Sequence, residues 1–308
     1  MATILITHGV PAAGFGTLKA HQVIIPAPLQ AFTETELMQH IAAADAIVAC
    51  GKLPGSVIRA GKKLKIIANY GAGYDSVDIS AAAEMGIPVT NIPDAVTQDT
   101  AELAIGLMLA VSRRIGEMNL RLRREAPETL FGMGRYMGKS LRGQTLGVIG
   151  YGRIGRQTAM LAQALGMHVI YHDPAQPQSL PLDEVLQQAD IITLHCPANA
   201  HTRHLINAAA FTQMKRGALL INTARGAVVD YDALLDALDD GLLAGAGLDV
   251  YPDEPHIPAK ILAHDHVVCT PHIGTNTEQT RYEMAQACAQ QILDVLDGKR
   301  PGNIVNGL

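Results

Sequence analysis

The stretch Leu146–Asp173, "LGVIGYGRIGRQTAMLAQALGMHVIYHD", joins two apolar β-type runs through a glycine-rich turn and a segment of helix length. Gly150, Gly152 and Gly155 follow the first run directly, and Asp173 ends the second run eighteen positions after Gly155. In this spacing the first glycine permits a tight turn, the second lets a ligand approach the backbone, and the third lets the helix pack closely on the strand. The free N–H groups at the start of the helix attract negative charge. The pattern therefore predicts a βαβ unit that binds the pyrophosphate of a dinucleotide.

The acidic residue at the end of the second run indicates which dinucleotide is bound. The carboxylate of Asp173 would accept hydrogen bonds from the adenosine ribose hydroxyls and would repel a 2′-phosphate, so it favours NAD over NADP. His172 or a nearby arginine could weaken this preference. The alternative is a glycine-rich turn without a ligand, but strand, helix and acidic residue coincide at the spacing that a dinucleotide site requires. The contacts predicted from this motif are Gly150, Gly152, Arg153, Ile154, Gly155 and Asp173.

Short apolar runs, separated by segments of helix length, form two series along the chain. This alternation predicts an α/β fold with parallel sheets, and the six runs of the second series predict a doubly wound, Rossmann-type sheet. The first series consists of residues 3–7, 22–26, 46–50, 65–69 and 87–91. The second consists of residues 145–150, 168–173, 190–195, 218–223, 244–250 and 266–270.

Two helical segments are expected to connect the domains that these series form. Asp99, with Glu102 three positions later, predicts a capping-box start to a long apolar helix that crosses from the first domain to the second. The last helix, residues 277–296, is expected to return to the first domain. We therefore predict a substrate domain from residues 1–98 and 279–308, and a dinucleotide-binding domain from residues 99–278.

The composition limits the kinds of partner. With 48% apolar residues in 308 and a formal charge of -5, the chain can bury a core in each domain but has no basic field for nucleic acid. Its four cysteines are scattered and form no C-x-x-C pair, so we expect neither a metal site nor a disulfide framework. Such cysteines favour a reducing compartment. The N-terminus has no signal-peptide pattern, and no apolar segment is long enough to span a bilayer. We expect a cytoplasmic protein without nucleic-acid or membrane partners, which binds small molecules or copies of itself.

Polar side chains follow the fourth, fifth and sixth runs of the second series. Arg225 follows the fourth run, Asp249 and Glu254 lie at and beyond the end of the fifth, and His272 follows the sixth. Taken singly, the arginine could be a solvated loop charge, the glutamate a turn residue, and the histidine a residue bonded to the backbone. Ligands of open α/β sheets, however, bind beyond the carboxyl ends of the strands, where these residues are expected to meet.

As a set, Arg225, Glu254 and His272 meet the needs of hydride transfer to a carbonyl group. A histidine can donate the proton that turns the developing alkoxide into an alcohol. A carboxylate beside the imidazole would orient it and favour its protonated form. A guanidinium would bind a substrate carboxylate through planar, charge-assisted hydrogen bonds and polarise the adjacent carbonyl.

Motifs along nearly the whole chain resemble the D-isomer-specific 2-hydroxyacid dehydrogenase family. The resemblance implies that Arg225, Glu254 and His272 are the catalytic residues and that the backbone of Gly71, Ala72 and Gly73 binds the substrate carboxylate together with Arg225 and His272. An ordinary glycine-rich loop is the alternative for residues 71–73, but successive backbone N–H groups form a concave anion site. The matching motifs are "NYGAGYDSVD" (69–78), "DTAELAIGLMLAVSRR" (99–114), "GVIGYGRIG" (147–155), "LHCP" (194–197), "INTARGAVVDYDAL" (221–234), "AGAGLDVYPDEP" (244–255) and "PHIGTNT" (271–277).

The same resemblance implies further contacts with NAD and a dimer. His195, Cys196 and Pro197 would line the adenosine side of the cofactor, with simple strand-end packing as the alternative. Thr223, Ala224 and Asp249 would face the nicotinamide. The crossover helix and the segment 121–143 resemble the family's dimerisation surface, so a homodimer is expected. The remaining residues expected at the cofactor are Thr97, Thr202 and Gly274.

The function that the resemblance implies is the reversible reduction of a small 2-oxo acid to the D-2-hydroxy acid, with NADH preferred over NADPH, in the cleft between a Rossmann domain and a smaller flavodoxin-like substrate domain. Substrates of the glyoxylate, hydroxypyruvate or D-lactate type all remain open. A non-catalytic NAD-sensing regulator on the same fold is the alternative from another class. Formate oxidation is a second enzymatic alternative, but that branch of the family has Gln where this chain has Glu254.

Overall fold

The first sheet contains five parallel strands in the order β2-β1-β3-β4-β5, which is the order of flavodoxin-like folds. Its strands are β1 Thr3–Ile6, β2 Gln22–Ile24, β3 Ala46–Ala49, β4 Ile66–Asn69 and β5 Val89–Thr90. The central strands are nearly continuous apolar runs, as expected for a parallel sheet that is covered on both faces. In the computed structural model, which describes residues 1–308, this sheet belongs to a unit formed by Met1–Val96 and Thr275–Leu308.

Helices cover both faces of the first sheet. The long C-terminal helix α11 buries Met284, Cys288 and Ile292 against residues of β1, β3 and β4, which places the end of the chain in the core of the first unit. Three short helices bury their apolar residues on the other face. The helices of this unit are α1 Glu34–Ile41, α2 Gly55–Ala60, α3 Ile79–Glu84, α11 Glu278–Leu296 and a 3₁₀ helix at Ala13–Ala20.

The last residues of the chain cover one edge of this sheet. Ile304 pairs with Thr90 of β5, and Val305 N donates to Val89 O over 2.8 Å. The side chain of Asn306 adds two hydrogen bonds, from Val89 N at 3.0 Å and to Ile87 O at 2.8 Å. An edge strand that would otherwise expose its backbone is thereby paired.

The second sheet contains six parallel strands in the order β11-β10-β9-β8-β6-β7, within the unit Thr97–Gly274. The strands are β6 Thr145–Ile149, β7 His168–His172, β8 Ile191–Leu194, β9 Ala218–Asn222, β10 Leu243–Leu248 and β11 Val267–Cys269. The chain winds outward from β6 to β7 and then crosses to β8 on the other side of β6. This reversal creates a switch point at the carboxyl ends of β6 and β8, the position where doubly wound sheets bind their ligands. The predicted α/β class with a six-stranded doubly wound sheet is confirmed.

Helices on both faces complete the second unit. None of the helices in the molecule is long and apolar enough to cross a lipid bilayer. The remaining helices are α4 Pro93–Ser112, α5 Ile115–Arg124, α6 Arg153–Ala164, α7 Leu182–Gln188, α8 Ala208–Gln213, α9 Tyr231–Asp239 and α10 Ala259–Ala263, with 3₁₀ helices at Pro127–Thr129 and Gly226–Val228.

The start of α4 differs from the sequence prediction. The helix begins at Pro93, so Asp99 and Glu102 lie inside it and the predicted capping box is wrong. Proline suits a first helical turn because its φ is already fixed and its missing N–H is not needed there, and Asp94 places a negative charge in the same turn. Glu102 instead accepts a hydrogen bond from Gln98, one turn earlier on the same helix. The two units meet in sequence at Val96/Thr97 and Gly274/Thr275, whereas the sequence placed these limits at 98/99 and 278/279.

Candidate active site

A histidine–glutamate pair lies beyond the carboxyl ends of β10 and β11. His272 Nδ1 and Glu254 Oε2 are 2.7 Å apart, and the other carboxylate oxygen accepts a hydrogen bond from Tyr251 N over 2.9 Å. A carboxylate can only accept, so the pair requires a proton on Nδ1 and leaves Nε2 to exchange a proton with another molecule. The side chain of His272 is half exposed, which gives a substrate access to that nitrogen.

The electrostatics keep Glu254 charged. Partial burial alone would raise the pKa of Glu254, but the hydrogen bonds from His272 and from Tyr251 N, with the nearby charges of His272 and Arg225, lower it overall. Glu254 therefore remains a carboxylate well below neutral pH and can stabilise positive charge on the imidazole.

The backbone around His272 is held by Asp249, a residue at the end of β10 that is 1% exposed. Asp249 Oδ1 accepts from Thr270 Oγ1 at 2.6 Å and Ile273 N at 2.8 Å, while Oδ2 accepts from Gly274 N at 3.0 Å. Burial raises the pKa of Asp249, although these hydrogen bonds act in the opposite direction. The three donors define the turn in which His272 adopts a left-handed conformation, with φ of 52°. In the structure the carboxylate of Asp249 thus binds this turn, and its contact with the nicotinamide stays a prediction.

Arg225 lies at the start of the 3₁₀ helix that follows β9. Its Nη1 donates to Ala224 O over 2.7 Å, and Asn222 Nδ2 donates to Arg225 O over 3.0 Å. Gly226 lets this segment pack directly on the backbone at Tyr251, where an added Cβ would collide with the main chain. Gly226 was not among the site residues predicted from the sequence, yet its contact connects the arginine segment with the segment that carries Glu254.

The glycine-rich turn after β6 has the geometry of a dinucleotide site. Gly150 has φ of +92°, and a Cβ there would lie 2.5 Å from Cys196 N at the end of β8. A Cβ on Gly155 would collide with Gly150 O, whereas a Cβ on Gly152 would meet no atom within 4 Å. Gly152 is also the N-cap of α6, so open space lies directly before the first turn of this helix, at Arg153 and Ile154, where helix N–H groups attract negative charge.

Asp173 lies beyond the end of β7, next to this turn. Its Oδ2 accepts a hydrogen bond from Tyr151 N at 2.8 Å, and its Oδ1 accepts from Ala175 N at 2.9 Å. The carboxylate thus joins the glycine-rich turn to the loop that follows β7. The rings of Tyr151 and Tyr171 stack beside it, with centroids 3.9 Å apart and an interplanar angle of 7°.

The end of β8 supplies the other side of the switch point. His195 lies 2.9 Å from Thr193 Oγ1 through Nε2, and burial lowers the pKa of His195 to about 3, so its imidazole is neutral at physiological pH. Burial also raises the pKa of Cys196 to about 11, which keeps the thiol protonated. Pro197 is exposed, and its carbonyl oxygen accepts from Thr202 Oγ1 over 2.6 Å.

The other predicted cofactor contacts lie at the ends of β9 and β11 and in α4. Thr223 is 8% exposed, and its hydroxyl is buried without a hydrogen-bond partner in the structure. Such a hydroxyl usually costs free energy, and a ligand that bonds to it would remove that cost. Ala224 N donates to Asn222 Oδ1, Thr100 Oγ1 donates to Gly274 O, and Thr97 lies inside α4.

The predicted carboxylate loop, Gly71–Gly73, belongs to the first unit and follows β4 directly. Asn69 Nδ2 donates to Gly71 O at 3.0 Å and to Gly73 O at 2.9 Å, and Asn91 Nδ2 donates to Ala72 O at 2.7 Å. Neither asparagine was predicted as a site residue from the sequence. Their positions beside a glycine-rich strand end, where amide side chains commonly bond to loop backbone, are the signal that could have found them.

Comparison with known proteins identifies the family. Residues 105–274 match the family model described as D-isomer specific 2-hydroxyacid dehydrogenase, NAD binding domain. The chain is 36% identical to a glyoxylate reductase of Thermococcus litoralis in an alignment 318 residues long, gaps included. This alignment covers 98% of this chain and 96% of that protein. A solved structure from Thermus thermophilus has a TM-score of 0.90 and 38% identity, and covers 98% of this chain and 99% of that one.

A second solved structure bears on the cofactor. It is an NADPH-dependent glyoxylate/hydroxypyruvate reductase from Sinorhizobium meliloti in complex with NADP and malonate, with a TM-score of 0.87 and 30% identity, and it covers 99% of this chain and 96% of that one. The match of the family model to more than half of the chain, with relatives similar over nearly its full length, is decisive. The chain belongs to the D-isomer specific 2-hydroxyacid dehydrogenase family.

Proposed function

We propose that this family member catalyses the reversible reduction of a small 2-oxo acid to the D-2-hydroxy acid, with NADH as the preferred reductant. The observation that carries the proposal is the 2.7 Å pair of His272 and Glu254, which lies in the same unit as the dinucleotide turn. Relatives named glyoxylate reductase and hydroxypyruvate reductase support small substrates of this class.

The residues around the switch point fit a nicotinamide dinucleotide. The space before α6 at Gly152 is open to a pyrophosphate, and the unpartnered hydroxyl of Thr223 offers a hydrogen bond at the end of β9. Bound NADH would supply the hydride. Gly150, Gly152, Arg153 and the first N–H groups of α6 would hold the diphosphate charge, and the end of β8 would line the adenosine side.

The protein's own residues handle the proton and the charges. His272 Nε2 would donate its proton to the carbonyl oxygen as hydride arrives at C2, and Glu254 would stabilise the imidazolium before that step. Arg225 would bind the substrate carboxylate and polarise the carbonyl. The N–H groups of the Gly71–Gly73 loop would bind the same carboxylate. In the oxidative direction, neutral His272 would accept the alcohol proton.

The preference for NADH rests on the carboxylate of Asp173. A 2′-phosphate on the adenosine ribose would meet this negative charge, whereas the ribose hydroxyls of NADH would donate to it. One structurally similar relative is named as NADPH-dependent, so the ratio of activity with NADH to activity with NADPH is the measurement that tests this preference.

We further propose that two copies associate through an apolar surface of the second unit. This surface consists of α5 and the segment after it, where Tyr136 contacts the guanidinium groups of Arg114, Arg121 and Arg135. Clusters of exposed apolar side chains, unlike single ones, often mark interaction sites. Its exposed members are Ile115, Leu120, Leu122, Phe131, Met133 and Met137.

Light scattering on size-exclusion fractions tests the association. Phe131→Lys combined with Met133→Lys should convert a dimer to a monomer, while Leu29→Lys, at an equally exposed apolar residue of the first unit, should not. If the double variant is still a dimer, this surface is not the interface.

The four cysteines are free thiols in the structure, which supports a reducing compartment such as the cytoplasm.

A substrate panel tests the reaction itself. Purified protein is incubated with NADH or NADPH and, in turn, with glyoxylate, hydroxypyruvate, pyruvate and bulkier 2-oxo acids. Oxidation of the cofactor is followed as the loss of absorbance of the reduced nicotinamide. Turnover with one or more of these acids, faster with NADH, is the expected result, and chiral chromatography should find the D product. Tight NADH binding without turnover of any acid would favour the regulator instead.

A further inference from the structure

The carbonyl groups of the Gly71–Gly73 loop are all fixed by hydrogen bonds from within the first unit. Asn69 Nδ2 binds Gly71 O and Gly73 O, Asn91 Nδ2 binds Ala72 O, and Ile92 N adds a bond of 3.1 Å to Gly71 O. Three successive carbonyl oxygens therefore point toward the protein.

The N–H groups of the same peptide units must point the other way. In a trans peptide the C=O and N–H bonds of one planar unit are antiparallel, so fixing the carbonyls of residues 71–73 fixes the N–H groups of Ala72, Gly73 and Tyr74. These three N–H groups donate to no group in the structure. Gly73 and Tyr74 are exposed, so their N–H groups lie near the surface of the loop. Successive free N–H groups form a concave site for an anion.

We propose that Asn69 and Asn91 are positioning residues that aim this row of N–H groups at the carboxylate of the substrate. The inference rests on the proposed function for the identity of the anion. Asn69 is 3% exposed and ends β4, so its amide acts on the ligand only through the loop that it holds. Asn91 is fixed in turn by Gln291, whose side chain donates to Asn91 O over 3.0 Å and accepts from Thr90 Oγ1 over 2.7 Å.

Substitution of each asparagine by alanine, with a matched control, tests this role. Asn69→Ala and Asn91→Ala release one or more loop carbonyls, while Asn306→Ala removes two side chain to backbone hydrogen bonds of the same unit that do not touch the loop. The probe is oxamate, a carboxylate that resembles a 2-oxo acid but is not reduced, titrated calorimetrically into protein saturated with NADH. Because Asn69 is buried, its variant also loses stability, and Asn91→Ala keeps the test independent of that loss.

The expected result is a Kd for oxamate raised by about 10-fold in both loop variants, the effect of losing one well-aimed hydrogen bond to a charged group. KM for the 2-oxo acid should rise in parallel and kcat should change less, because the loop is expected to bind the ground state and the transition state equally well. The Kd for NADH should stay within about 2-fold of the wild-type value. Asn306→Ala should lower the unfolding temperature and leave oxamate binding unchanged.

Three outcomes would overturn the inference: loop variants that bind oxamate as tightly as the wild type, an equal loss in Asn306→Ala, or a wild-type protein that does not bind oxamate. A wild-type protein that binds oxamate but reduces no 2-oxo acid refutes the proposed reaction, while the role of the asparagines is still decided by the variants.

Discussion

His272 combines a chemical role with an unusual backbone conformation. Its φ of 52° is left-handed, a region that asparagine tolerates better than alanine, so His272→Asn removes the imidazole with the least backbone strain. We expect kcat for reduction to fall by about 10² to 10⁴, the usual contribution of general acid–base catalysis. The Kd for NADH, measured by fluorescence titration, should change by less than about 3-fold. If kcat falls by less than about 10-fold, another group supplies the proton.

Asp173 is the residue that should decide between the two nicotinamide cofactors. Asp173→Asn keeps an oxygen that can accept from Tyr151 N but removes the negative charge. Relief of a charge repulsion of about 1 kcal/mol or more should shift the ratio of kcat/KM for NADH and NADPH toward NADPH by at least about 5-fold. Asp183→Asn, an exposed carboxylate of the same unit, is the control. An unchanged ratio would remove Asp173 from this role.

At the residue scale, the sequence predicts chemical groups more readily than contacts. Arg225, Glu254 and His272 could be found because each follows an apolar run, and parallel strands bring their carboxyl ends to one edge of a sheet. The three hydrogen bonds of Asp249 and the amide bonds of Asn69 and Asn91 depend on side-chain geometry that no local pattern encodes. The distance between His272 and Glu254 depends likewise on the path of the segment after β10.

Among the elements, the start of α6 separates binding from stability. A Cβ on Gly152 would enter open space, and φ there is -78°, so Gly152→Ala should fold normally and raise the Kd for NADH by about 10-fold through a clash with the pyrophosphate. Gly155→Ala should instead lower the free energy of unfolding by about 1–3 kcal/mol, because its Cβ would collide with Gly150 O. Titration with NADH and urea unfolding separate the two. Loss of stability in Gly152→Ala would contradict the open space.

The extent of the elements was predictable where apolar runs are short and bounded. Each predicted strand occurs, usually one or two residues shorter than the apolar run that predicts it. The start of α4 was not predictable from the capping pattern, since Asp99 and Glu102 have the spacing of a capping box while lying inside the helix. A proline at the first helical position was the stronger signal.

In the molecule as a whole, His195 should make stability depend on pH. Burial lowers the pKa of His195 to about 3 in the folded protein, from an ordinary value of 6.5. Between about pH 3 and pH 6.5 the unfolded chain therefore binds a proton at His195 that the folded chain does not bind. The free energy of unfolding consequently falls as the pH drops below 6.5. The slope from this group is at most about 1.4 kcal/mol per pH unit. His195→Gln should therefore lose less stability than the wild type between pH 7 and pH 5, in urea unfolding. His201→Gln, at an exposed histidine, should behave as the wild type does. A wild-type slope in His195→Gln would refute the assignment.

The first unit takes part of its core from α11, and its last strand is paired with Ile304. During synthesis on a ribosome, residues 1–96 therefore emerge long before the segment that completes their sheet, whereas residues 97–274 are complete earlier and can fold as a unit. Until residue 275 and its successors leave the exit tunnel, Ile4, Val48 and Ile66 lack the helix that covers them. Translation that ends before codon 275 is therefore expected to leave one apolar face of the first sheet uncovered, and exposed apolar surface of this kind promotes aggregation.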